Sequence, residues 1–73
     1  MTNIQKLRNL YRMTQNDVCD AINYPKPLYS AFEKGKYVMP IDKVKELAKL
    51  FNVSVFHILK DMPDEIKDLY NIK

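Results

Sequence analysis

Apolar residues recur every three or four positions along most of this chain, the spacing of one face of an α-helix. No stretch alternates polar and apolar residues as a half-buried strand would, and the sequence holds a single glycine. The pattern predicts an all-α chain of short amphipathic helices. Ile4, Leu7, Leu10 and Tyr11 form a first stripe, with Asn3 as its cap and Arg8 and Arg12 beside it. Thr14 caps a second helix, and Asp17 stands in its first turn, where a carboxylate favours the positive end of the helix dipole. Met13 and Val18 have the spacing of a hydrophobic staple around that cap. The helix runs to Ile22, and Asn23 supplies the left-handed residue that ends it.

The next segment, Tyr24-Pro25-Lys26-Pro27, cannot be helix interior, because a residue preceding proline is pushed out of the α region. Lys26 is expected to be extended and Pro27 to be the first residue of a third helix, where a missing N–H is no loss. Leu28, Tyr29 and Phe32 are its core candidates, and Gly35 is its left-handed stop. A polar loop through Lys36 leads to Pro40 and a fourth helix, with Ile41, Val44, Leu47, Ala48 and Phe51 on one side. Asn52 ends that helix, and Ser54 caps a short fifth one carrying Val55, Ile58 and Leu59. From Met62-Pro63-Asp64-Glu65 the pattern restarts, with Ile66, Leu69 and Tyr70 at helical spacing, so 61–73 is a tail or a short sixth helix. We expect one domain over 1–73 with its core over about 3–60, since no linker, repeat or low-complexity stretch divides it.

Charge narrows the choice of face. The chain has 73 residues and a formal charge of +3. The first 52 residues carry nine basic and five acidic side chains, whereas the remainder carries three basic and four acidic ones. A polyanionic partner would therefore meet the first three quarters and not the tail. Cys19 is the lone cysteine, so no internal disulfide can form, which suits a reducing cytosol. No apolar run approaches the roughly 18 residues of a membrane span, and Met1 to Leu10 lacks the pattern of a signal peptide, so a cytoplasmic protein with no membrane partner is expected. His57 is the only histidine and has no second ligand at metal-binding spacing; no cofactor or metal is expected. With no phosphate-cradling glycine loop, and with its one cysteine and one histidine on different helices, the chain reads as a binding protein and not an enzyme.

Three segments in register carry a family resemblance: the opening IQKLRNLYRMTQNDV, the FEKGK at the end of the third helix, and LAKLFNVSVFHIL across the fourth and fifth. Over about Ile4 to Leu59 the chain resembles the Cro- and cI-like (XRE-type) helix-turn-helix domains. The resemblance implies an all-α, five-helix, lambda-repressor-like DNA-binding fold, extended here by the short sixth helix. It implies that Thr14 and Gln15, at the start of the second helix, meet a DNA phosphate. Glu33 matches a glutamate that pairs with an arginine at the position of Arg8, a structural ion pair tying the third helix to the first. Lys36 and Lys43 match positions that meet phosphate.

In such a fold the third helix enters the major groove. The groove-facing positions would be Pro25, Lys26, Pro27, Ser30, Ala31 and Lys34. Here the sequence departs from the pattern. Pro25 has no capping oxygen, Pro27 has no side-chain donor or acceptor, and Ala31 offers only a methyl. Lys26 and Ser30 remain as base readers, with Lys34 directed to phosphate. Tyr24 and Tyr37 have no evident burial, and a face of tyrosine and proline also suits a protein partner. Two readings follow: a regulator binding double-stranded operator DNA, as a homodimer on a two-fold site, or an antirepressor, a lysogeny modulator that binds a partner phage repressor. Phe56 stands where the fifth helix is usually polar, and Cys19 where the second helix packs on the third.

Overall fold

The computed structural model describes residues 1–70 and consists of six α-helices in the order α1 (Asn3–Leu10), α2 (Gln15–Ile22), α3 (Lys26–Glu33), α4 (Ile41–Phe51), α5 (Val55–Leu59) and α6 (Asp64–Leu69). No strand occurs among the described residues. Each helix turns one apolar stripe inward. Ile4 and Leu7 from α1, Val18, Cys19 and Ile22 from α2, Tyr29 and Phe32 from α3, and Val44, Leu47, Ala48 and Phe51 from α4 meet in one core. Ile58 and Leu59 of α5 close it at one end, with Met62 and Ile66 beside them.

Local signals set most helix ends. Thr14 and Asp17 form a reciprocal capping box, each side chain accepting from the other's backbone N–H, at 3.1 and 2.8 Å. Asn23 and Asn52 end α2 and α4 in the left-handed region, with φ of 54° and 55°. Gly35, just past α3, has φ 74° and a second reason to be glycine: a β-carbon there would lie 3.0 Å from Pro63 Cδ.

Several expectations are corrected. The cap of α1 is Thr2, not Asn3. Thr2 forms a capping box with Gln5 and also donates its hydroxyl to Glu33 O at 2.9 Å, while the Asn3 side chain reaches across to His57 O at 2.8 Å. Leu10 and Tyr11 lie outside the core; Tyr11 stacks edge-on to Phe51 and donates its hydroxyl to Phe51 O. Lys26 is helical rather than extended. Pro27 is therefore the second residue of α3, where its missing N–H still falls in the unbonded first turn. Leu28 is 37% exposed and is not core, and Ile41 and Leu69 are exposed as well.

Side chains from distant elements satisfy the carbonyls that helix ends leave open. Beyond the Thr2, Asn3 and Tyr11 bonds, Lys43 Nζ donates to Ile22 O at 2.7 Å, at the end of α2. Tyr70 likewise donates to Met39 O, fastening the end of α6 to the loop before α4. Among them, the Thr2 bond ties the end of α3 to the start of α1.

Candidate nucleic-acid interface

α2, the turn Asn23–Pro25 and α3 form a pair of helices joined by a left-handed residue and a proline. Tyr29, Phe32 and Glu33 face the interior. At 100° per residue, Pro27, Ala31 and Lys34 lie on the opposite side, flanked by Leu28 and Ser30. Pro25, Lys26, Pro27 and Lys34 are exposed, and Ser30 and Ala31 are half-buried.

The chemistry behind this face centres on Glu33, whose side chain is fully buried. Arg8 Nε and Nη2 donate to its two carboxylate oxygens, each at 2.9 Å, and Gln15 Nε2 donates to Oε1 at 3.1 Å. Arg8 Nη1 also holds Met13 O, binding the α1–α2 turn into the same cluster. Burial acts to raise the Glu33 pKa, but hydrogen bonds from Arg8 and Gln15 and the neighbouring Tyr29 hydroxyl overcome it and hold the carboxyl below its ordinary value. The Tyr29 hydroxyl has no hydrogen-bond partner of good geometry, and burial next to this carboxylate pushes its own pKa far up.

Two positions expected to meet phosphate have partners within the fold. Gln15 turns its amide inward and donates to Glu33. Lys43 spends its ammonium on Ile22 O and on Glu46, at 2.9 Å. Thr14 remains a cap, and what α2 presents outward are the first-turn N–H groups of Gln15 and Asn16, which have no intrahelical acceptor. Asn16 was not singled out by its side chain, because the relevant donor is its backbone. Lys36 is exposed, one residue beyond the left-handed Gly35.

Tyr24 and Tyr37 are not the free surface rings expected from the sequence. Both are half-buried against the core, and their hydroxyls lie 2.9 Å apart. Burial and this hydrogen bond push the Tyr24 pKa up to about 12. Cys19 is buried, and its desolvation raises the thiol pKa, which keeps it neutral and unreactive. Phe56 is 54% exposed and takes no part in the core. Asp17 lies on α2 near the open face, but its carboxylate accepts from Thr14 N–H, which lowers its pKa and directs its charge to its own helix start.

The family model for helix-turn-helix domains matches residues 4–58, most of the chain and the whole of α2, the turn and α3. The chain belongs to the XRE-type helix-turn-helix family. Over 72 residues it is 32% identical to the uncharacterized HTH-type transcriptional regulator YobD of Bacillus subtilis (strain 168), an overlap of 96% of this chain and 64% of that protein. The chain thus spans less than two thirds of this relative's length. No solved structure gives a significant match. In this helix-turn-helix domain no described helix is long and apolar enough to cross a membrane, and no three His, Cys, Asp or Glu side chains gather to hold a metal among the described residues.

Proposed function

We propose that this helix-turn-helix domain is a transcription regulator that binds operator DNA through α3, two copies sitting on a two-fold site with their third helices about one turn of DNA apart. The observation that carries this reading is the open outer side of α3. Lys34 is exposed on it, Lys26 is exposed at the first position of the helix, and Tyr29, Phe32 and Glu33 anchor the helix from behind. In this arrangement the N–H groups of Gln15 and Asn16, with Lys34 and Lys36, hold phosphates, while Lys26, Ser30 and Ala31 meet base edges. Thr14 fixes the start of α2 that aims those N–H groups.

The test is binding to the DNA upstream of its own gene over a range of salt. With two or three lysines neutralising phosphates in each copy, log K should fall against log salt with a slope of about −2 to −3 per copy. A flat response, or equal affinity for scrambled duplex, would contradict the proposal.

The exposure of Pro25, Pro27 and Leu28 favours a second reading, in which the same face docks on a protein as an antirepressor covering the DNA-binding face of a phage repressor. Calorimetric titration against the repressor encoded beside this gene tests it. A complex insensitive to Lys26→Glu would rule out this face as the contact.

A further inference from the structure

The outer side of α3 is unusual for a base-reading surface in what it lacks. At its centre stand Pro27 and Ala31, and on one flank stands Leu28, none with a side-chain donor or acceptor. Pro27 and Leu28 are exposed and Ala31 is half-buried, so the three form an apolar ridge about one helical turn long. Leu28 has not been drawn inward although α3 is rich in apolar residues; the core beneath is filled by Tyr29 and Phe32, both fully buried. Lys34 is exposed beside Pro27 and Ala31, and Lys26 is exposed at the first position of the helix.

A major groove offers one apolar feature to such a surface, the C5-methyl of thymine; every other base edge there presents donors or acceptors. Setting Leu28 or Pro27 against the amino or carbonyl groups of a G·C pair would strip those groups of water with no replacement hydrogen bond. The same contact with a thymine methyl buries apolar surface on both sides. Lys34 beside the ridge matches the phosphates that flank the groove, and a purely apolar protein partner would leave it unpaired.

We infer that the ridge of Pro27, Leu28 and Ala31 reads thymine methyl groups, making hydrophobic contact the main source of base discrimination in this domain. The inference rests on the proposed DNA-binding reading and names what that site selects.

The experiment selects tight-binding duplexes from a random pool, then compares each with the same duplex carrying deoxyuridine for thymine, across a salt series. Loss of a contacted methyl is expected to weaken binding about fourfold per thymine, with the salt slope unchanged. Leu28→Ala, whose exposed position leaves the core intact, is expected to bring the thymine-to-deoxyuridine ratio toward one while the variant keeps its melting temperature. Salt-dependent binding that is indifferent to deoxyuridine would overturn the inference and leave the DNA-binding reading standing. Thymine dependence undiminished in Leu28→Ala would also overturn it, since the methyls would then be read elsewhere. Absence of duplex binding at every salt concentration would remove both.

Discussion

Arg8 grips both carboxylate oxygens of Glu33 at 2.9 Å, joining the first helix to the end of the third through a side chain that is wholly buried. This pair anchors α3 from behind, while Pro27 and Lys34 on the opposite side are exposed. Breaking a buried pair by removing one partner strands the other charge, typically at about 3–5 kcal/mol. The Arg8 side chain keeps 17% of its surface accessible, so Arg8→Ala should fall toward the lower end. For so small a domain that is most of the available stability. Urea denaturation should show Arg8→Ala far less stable than an Arg8→Met, Glu33→Leu double variant, which leaves no stranded charge.

Acid should act through the same carboxyl. Although burial acts against its charge, its hydrogen bonds hold the Glu33 pKa below the ordinary carboxyl value, and Arg8 is correspondingly raised by its bond to Glu33. A depressed folded-state pKa gives stability that is present above the unfolded value of about 4.3 and is lost as the pH falls through the folded one. Stability measured from pH 7 downward should therefore hold until about pH 4 and then drop. In Glu33→Gln that part of the acid slope should be missing.

Gln15 provides a separation between fold and binding. Its amide donates to Glu33 at 3.1 Å, so Gln15→Ala should cost about 1–3 kcal/mol of stability, the range for a hydrogen bond to a charged group. Under conditions where the variant stays folded, its affinity for the duplex at fixed salt should match that of the parent. A weaker affinity would place this side chain on phosphate.

The tyrosine pair should be visible in alkali. Burial, then the bond to Tyr37, raise Tyr24 to about 12, and burial likewise raises Tyr70 to about 12. A raised folded-state pKa means stability present below the unfolded value of about 10 and lost as the pH climbs through the folded one. Tyrosinate absorbance should therefore show late-titrating rings that coincide with alkaline unfolding. In Tyr37→Phe the Tyr24 ring should ionise earlier.

Gly35→Ala tests how α3 stops. A β-carbon there meets both an unfavourable φ of 74° and Pro63 Cδ at 3.0 Å, and left-handed strain of this kind costs about 1–3 kcal/mol. Thermal melting should show the loss, with no change in duplex preference among molecules that remain folded.

What could be read from the chain was what neighbouring residues decide. Thr14 and Asp17, the left-handed Asn23, Asn52 and Gly35, and the inward stripe of α4 all follow from spacing and local chemistry. Features set by distant partners could not be read that way. Asn3 loses the cap of α1 to Thr2 because its amide is drawn to His57 O, 54 positions away, although the Thr2 to Gln5 spacing was a capping signal in plain sight. Gln15 and Lys43 bond to a buried carboxylate and a helix-end carbonyl 18 and 21 positions away, partners that spacing along the chain does not show. Leu28 has the composition of a core residue but lies at the flank of the inward stripe, where Tyr29 and Phe32 already fill the core, and that competition is not visible in the sequence.

The central claim is that DNA meets the open side of α3. Its most direct measurement is amide chemical-shift mapping of the labelled chain titrated with an operator duplex. Shifts should be confined to Gln15 and Asn16, Lys26 to Lys34, and Lys36. Shifts centred instead on Leu10 and Phe56, with α3 silent, would contradict it.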